Sequence, residues 1–350
     1  MTCVCKLTRS LVDIESISGN EMRAACYVFQ HLSALAIKHG GRAEQMETDG
    51  ECFNVFASWG SPVVTLSTHI DTVPPYIPSR EDDEYVWGRG ACDAKGILAS
   101  MIVAAEKLLE EGLRNFGLLF LVGEERGSIG AKAASGAFRG SRYLVAGEPT
   151  ENKLALGSKG ALRFEILTSG RMAHSAYPEL GESAIEKLLD VLETVRKAPL
   201  PQDSLLGPTT VNIGTIVGGL APNIVSDNAR AEILVRVVGD PAPIRDLFAA
   251  AANDHAQLRE ILSIPITRFE QLDGYPTTIV SYSTDVPLLN GVWGKAYLLG
   301  PGSIHSAHTE DERVPKRELK AAVEIYSDIV RGLLSRTSMA DRSPGAGALP

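Results

Sequence analysis

The residues S-T-H-I-D-T-V-P-P at 67–75 place a histidine and a carboxylate two positions apart, directly after an apolar run at 62–66. His69 reads as a metal ligand and Asp71 as the acid that orients its ring, since a ligating imidazole usually donates its other N–H to a carboxylate or carbonyl. Asp93 stands in a glycine-rich loop, W-G-R-G-A-C-D-A-K-G, just before a helical stretch. Two more apolar runs end in acids: 117–122 in Gly123-Glu124-Glu125, and 143–146 in Gly147-Glu148-Pro149-Thr150. A further run at 296–299 leads through Gly300-Pro301-Gly302-Ser303 to His305 and His308.

Carboxylates gathered so closely repel and raise one another's pKa unless cations neutralise them. Imidazoles among carboxylates suit zinc, with cobalt or manganese as alternatives. His69, Asp71, Asp93, Glu124, Glu125, Glu148 and His308 are more groups than one tetrahedral ion uses. A pair of ions about 3.5–4 Å apart, bridged by a carboxylate and a water, uses them all. One of Glu124 and Glu125 then binds metal while the other takes a proton from the water, and spacing leaves open which does which. The loop at 87–96 has the wrong glycine, lysine and hydroxyl spacing for a phosphate loop, and an N-cap is the structural alternative for Asp93.

The elements that must position these groups follow from periodicity. Helices are expected at 4–14, 21–39 (stopped by Gly40-Gly41), 97–111 and 318–334, and strands at 43–47, 53–59, 62–66, 117–122, 143–146 and 296–299. Strands alternating with helices imply a mainly parallel sheet covered by helices. Ligands gather beyond the carboxyl ends of such strands, which is where every candidate falls. Between 159 and 270 the texture changes: strands at 161–168, 211–217, 229–238 and 264–269, helices at 182–196 and 242–251. That β-α-β-β-α-β order describes an inserted open-faced α+β sandwich. The expected division is a discontinuous α/β metal-binding domain at 1–158 and 271–335, the inserted domain at 159–270, and a disordered polar tail at 336–350.

At 350 residues the chain suits two domains. A formal charge of −9 and a pI near 5.4 argue against nucleic acid or an anionic membrane as partner. No apolar run approaches the roughly 20 residues that span a bilayer, and the first residues have no basic region followed by an apolar core. The odd, scattered cysteines (Cys3, Cys5, Cys26, Cys52, Cys92) suit free thiols in a reducing cytoplasm. Cys92 reads as a packing residue, and His31, His39 and His255 as structural or solvated.

With these motifs the chain resembles the M20 metallopeptidases and amidohydrolases, which include acetylornithine deacetylase, succinyl-diaminopimelate desuccinylase, aminoacylase and glutamate carboxypeptidase. The resemblance covers about residues 4–335 and rests on S-T-H-I-D-T-V-P, G-R-G-A-C-D-A-K-G, G-E-E, G-E-P-T and A-H-T-E-D-E. It implies that His69 and Glu148 hold one metal, that Glu125 and His308 hold the other, and that Asp93 bridges both, with a cis peptide after it. His308, not His305, is the one followed by acids at the family spacing. Glu124 would be the general base and Asp71 the partner of His69. The implied reaction is attack on an amide carbonyl by a metal-bridging hydroxide, with Glu124 taking the water's proton and passing it to the leaving amine.

The inserted domain resembles the family's lid and dimerisation domain, which implies a homodimer. His174, in G-R-M-A-H-S-A-Y-P, matches a histidine that stabilises the oxyanion, commonly across the dimer. Asn223 and Arg236 match residues that hold substrate, and an arginine fork suits a carboxylate. Leu234 departs from the family, which often has an acid two positions before that arginine. The stretch 300–308 is closer to acetylornithine deacetylase and its lysine-pathway relatives. The leading expectation is therefore deacylation of a small N-acyl amino acid. A di- or carboxypeptidase is the alternative, then the desuccinylase, then a non-catalytic member that binds an amino acid or peptide.

Overall fold

The strands that carry candidate ligands are covered on both faces, so Phe116–Leu121 reads as an unbroken apolar run, while Val64–His69 also buries Thr65, Ser67 and Thr68. Every residue of Val64–His69 and of Phe116–Leu121 is buried. The computed structural model describes residues 2–137 and 139–340. Among them, a six-stranded sheet runs in the order Arg42–Glu47, Phe53–Trp59, Phe116–Leu121, Val64–His69, Tyr143–Ala146, Lys295–Leu298. Its first two pairings are antiparallel, and the other three are parallel. The fold is α/β with a mixed sheet. The helix Lys95–Glu110 is buried along most of its surface and packs against Val4–Val12 and Lys316–Ala340, while Met22–His39 covers the antiparallel strands.

Register decides where the chemistry collects. His69 pairs with Leu121, Ser67 with Ala146, and Leu298 with Ala146. Parallel strands in this register end at one edge. The residues that follow them, Glu124, Glu125 and Glu148, therefore arrive beside His69.

The chain divides into two compact units. The larger takes the described residues up to 156, 269–278 and those from 284 onward; the smaller takes 157–268 and 279–283. The smaller has a four-stranded antiparallel sheet in the order Thr210–Gly218, Asn228–Val237, Gly160–Ser169, Ala256–Ile264. Leu188 and Val191 of the helix Ala184–Lys197, and Phe248 of Ala242–Ala252, pack on Phe164, Ile166 and Ile233.

Three expectations about the elements change. The fourth strand of the smaller sheet lies at Ala256–Ile264, not 264–269; it is a largely exposed edge and lacks the buried alternation that marks a strand in sequence. A short helix at Ile129–Ser135 and a small sheet of Arg80–Glu81, Tyr85–Trp87 and Arg313–Pro315 were not foreseen. The last helix is Lys316–Ala340, so the expected disordered tail is corrected at 336–340. There Thr337 Oγ1 bonds the Leu333 carbonyl at 3.1 Å, a helical turn that polar composition concealed. Residues 341–350 of that expected tail lie outside the described ones. No helix among the described residues is long and apolar enough to cross a membrane.

Candidate metal centre

His69 closes its strand with a buried ring. Its Nδ1 lies 3.0 Å from the backbone carbonyl of Asp71 and 3.5 Å from that residue's Oδ1. Donation from Nδ1–H to the carbonyl leaves the Nε2 lone pair free to ligate. The carbonyl is thus the nearer orienting group, and the Asp71 carboxylate has other work. Its Oδ1 accepts the Glu124 N–H at 3.0 Å, and its Oδ2 accepts the Glu125 N–H at 3.1 Å and the Ser18 hydroxyl at 2.7 Å. Asp71 therefore fixes the turn that aims both glutamates. Ser16 holds the same segment through its hydroxyl on the Ile70 carbonyl at 2.9 Å.

Asp93 stands between the two histidines. Its Oδ1 is 3.0 Å from His69 Nε2, and its Oδ2 is 3.4 Å from His308 Nε2. The peptide after it is cis. Its loop is held by Glu312, whose Oε1 accepts the N–H groups of Gly90, Cys92 and Asp93 at 2.9, 3.1 and 3.1 Å. Glu312 Oε2 accepts from Arg89 at 2.6 Å, and both side chains are buried. The Cys92 thiol packs inward, 3.4 Å from the Ser303 carbonyl. Gly147 lets Glu148 follow its strand closely, since a Cβ there would meet Ile97 at 2.4 Å. His308 takes a left-handed backbone (φ +63°), half-exposed, with Nε2 2.8 Å from Glu125 Oε1.

Two ligand sets result: His69, Asp93 and Glu148, and Asp93, Glu125 and His308. Within each set the ligating atoms lie within 4.8 Å of one another. Asp93 is common to both and offers one oxygen to each side, as a bridging carboxylate would. His305 is exposed and joins neither set. Among the described residues, no lysine or arginine pairs with Asp93, Glu124, Glu125 or Glu148; imidazoles pair with Asp93 and Glu125. Burial pushes Glu124 and Glu148 well above the usual carboxylate range, and neighbouring acids add to it, Asp285 foremost for Glu124 and Asp93 for Glu148. Hydrogen bonds to Asp93 and Glu125 lift His308 to about 10. Burial opposes charge on His69, but Asp71 and Asp93 outweigh it and raise its pKa. Buried carboxylates gathered around two imidazoles, with no lysine or arginine paired to them among the described residues, fit divalent metal.

The other three candidates belong to the smaller unit. His174 pairs with Ile224 as an isolated bridge, and the Ser175 N–H bonds the Asn223 carbonyl at 3.0 Å, so His174 and Asn223 are neighbours. His174 Nδ1 accepts the Ala176 N–H at 3.1 Å, which puts the ring proton on Nε2. Arg236 is half-buried and donates to Ser283 Oγ at 3.0 Å; no carboxylate among the described residues pairs with it.

Sequence reasoning missed Ser18, Arg89, Glu312 and Asp285. Glu312 lies inside the A-H-T-E-D-E motif and could have been noticed there. Asp285 precedes the short helix Val286–Leu289 and looks like an N-cap, yet its side chain makes no capping bond.

The sequence profile of Peptidase family M20/M25/M40 matches residues 65–332. The chain belongs to that family. It is a hydrolase of amide or peptide bonds. An M20 chain from Schizosaccharomyces pombe, named a peptidase M20 domain-containing protein, is 38% identical over 93% of this chain and 83% of its own length. A protein of Aspergillus clavatus named "Probable carboxypeptidase" is 39% identical over 94% of this chain and 82% of its own. The crystal structure of aminopeptidase PepT from Bacillus cereus superposes with a TM-score of 0.78 at 22% identity, covering 95% of this chain and 98% of that one, and so shares the fold.

Proposed function

We propose that this M20 hydrolase is a two-metal exopeptidase that cleaves the amide bond before a terminal amino acid in short peptides, and by the same chemistry in N-acyl amino acids. The observation that carries it is Asp93, with one oxygen toward His69 and the other toward His308. His69 and Glu148 would hold one ion, Glu125 and His308 the other, and Asp93 both. Zinc is the first choice, with cobalt or manganese as alternatives. Divalent ions there would polarise an amide carbonyl and make a water acidic enough to attack it.

The chain's own residues supply the rest. Glu124 takes the attacking water's proton and returns it to the leaving amine, from the end of the turn that Asp71 fixes beside both ligand sets. Asp71 fixes the Glu124–Glu125 turn and steadies His69. His174, with its proton on Nε2, is suited to stabilise the oxyanion, and Asn223 to hold substrate. Arg236, with no carboxylate partner among the described residues, suits the α-carboxylate of the terminal residue. The smaller unit would act as lid and, through the exposed edge Thr210–Gly218, as the homodimer surface. Five free cysteines suit a cytoplasmic setting.

Carboxypeptidase action is favoured over acetylornithine-type deacetylation because a 39% identical relative bears that name. Deacylation is the second reading, favoured by the stretch 300–308. The two differ in the acyl group removed from the amino acid's amine, a peptidyl group in the first and a small one such as acetyl in the second. The test is to strip the protein with chelator, reload zinc, cobalt or manganese, and compare dipeptides and tripeptides with N-acetylornithine, N-acetyl-lysine, N-acetylcitrulline, N-succinyl-diaminopimelate and other N-acyl amino acids. Metal-dependent turnover of peptides supports the first reading. Preference for one acetylated amino acid overturns it in favour of the second, and no turnover by the reloaded protein counts against both.

A further inference from the structure

Asp285 is a buried acid that this chemistry leaves unused. It is 6% exposed; the Ser128 hydroxyl is its one neighbouring hydrogen-bonding side chain, and neither carboxylate oxygen is well enough aligned with a donor to be satisfied. It does not cap the helix it precedes; the Val286 N–H goes to Thr284 Oγ1 at 3.3 Å instead. It is absent from both ligand sets. An ionisable group left in this state is costly, so its place needs a reason.

The cavity it lines supplies one. Asp285, Ser67, Glu124 and Glu148 border a pocket of about 20 Å³ behind the strand ends. The Ser67 hydroxyl is also buried without a partner, whereas its neighbour Thr68 is committed to the Gly147 carbonyl at 2.9 Å. A pocket of this size has room for one water, and a buried water needs two to four polar partners. Asp285 offers acceptors, Ser67 a donor, and Glu124 a third contact. Asp285 and Glu124 line the same small pocket, together with Ser67.

We propose that Asp285 is a positioning residue for Glu124: with the Ser67 hydroxyl it holds one ordered water in this cavity, and the water braces the Glu124 carboxyl group. The inference rests on the reading of Glu124 as the base. A braced carboxylate meets the attacking water in one orientation, and small misplacements of such groups are expensive in rate.

The experiment uses the full-length, metal-loaded protein and the variants D285N, D285V and S67A. A crystal structure fine enough to show ordered water should place one between Asp285 and Ser67. Asn can still bond a water, so D285N should keep kcat within about threefold, while D285V, which fills the cavity, should lose about ten- to a hundredfold in kcat at unchanged KM. S67A, a smaller change, should fall between them, and all three should retain two metal equivalents. Wild-type kcat in D285V and S67A, a cavity without water density, or kcat loss that merely follows metal loss would each overturn the inference. If D285V does not fold, S67A and the density decide. Activity in E124Q would instead remove the base assignment and leave the water density untouched, so the two failures are told apart.

Discussion

The sheet of the smaller unit and the strand ends of the larger one treat acids in opposite ways. On the small sheet, acids meet arginines: Glu232 accepts from Arg163, Glu260 from Arg245 at 2.7 Å, and Glu165 lies 3.3 Å from Arg259 and 3.7 Å from Arg230. The arginines hold Glu232 and Glu260 below the usual carboxylate range. At the strand ends, Glu124, Glu148 and Asp285 meet no lysine or arginine in an ion pair among the described residues, and burial pushes all three up, Asp285 to about 6. A paired acid holds structure together. An acid buried without its cation is a place prepared for a cation from outside, or for a proton in transit.

The contrast can be broken most severely at Glu124. Glu124→Gln should retain two metal equivalents and lose about 10²–10⁴-fold in kcat, the usual worth of a general acid–base group. Full activity in that variant, with metal content measured on the same sample, would put the base elsewhere.

Glu312 is the paired acid nearest the centre. Glu312→Ala leaves Arg89 buried without its carboxylate and three amides without an acceptor. Loss of one partner of a buried pair should destabilise the protein by about 3–5 kcal/mol, read from chemical denaturation. An unchanged midpoint would show that the loop is held by something else.

Glu106 sharpens the comparison through pH. Burial opposes its charge, but His31 and both donors of Thr2 outweigh this and pull it down to about 2 from 4.5. A depressed folded pKa gives stability that is present above pH 4.5 and lost as pH falls toward 2. Glu106→Gln should therefore lower stability at pH 7 by at most about 3 kcal/mol and flatten the acid limb over that window. An acid limb identical to wild type would deny the pairing.

The smallest effect belongs to the exposed pairs. A double-mutant cycle on Arg163 and Glu232 should return a coupling of about 0–1 kcal/mol. A much larger value would mean that this sheet face is covered in solution, as by a second copy of the chain.

Much of this centre was legible in the amino-acid order because its signals are local. His69, Glu124, Glu125 and Glu148 each follow an apolar run, and a buried parallel strand writes such a run directly into sequence. Asp93 and His308 were marked by their loop motifs. Element boundaries held to within a few residues wherever one face or both were buried. They failed at Ala256–Ile264, where an edge strand buries little, and at 336–340, where polar residues continue a helix.

What the sequence determined by itself was the kind of residue at each strand end, and hence the demand for cations. Tertiary structure decided the rest, since register, burial and partnership are properties of packed neighbours. It brought the parallel strand ends to one edge, gave Glu125 rather than Glu124 to His308, and handed the Asp71 carboxylate to two amides and a hydroxyl. It also separated three acids that look alike in sequence. Glu312 is satisfied by four donors and Glu106 by three groups, while Asp285 has only a poorly aligned Ser128 beside it, because only folding determines which acids are closed off from water and what is closed in with them.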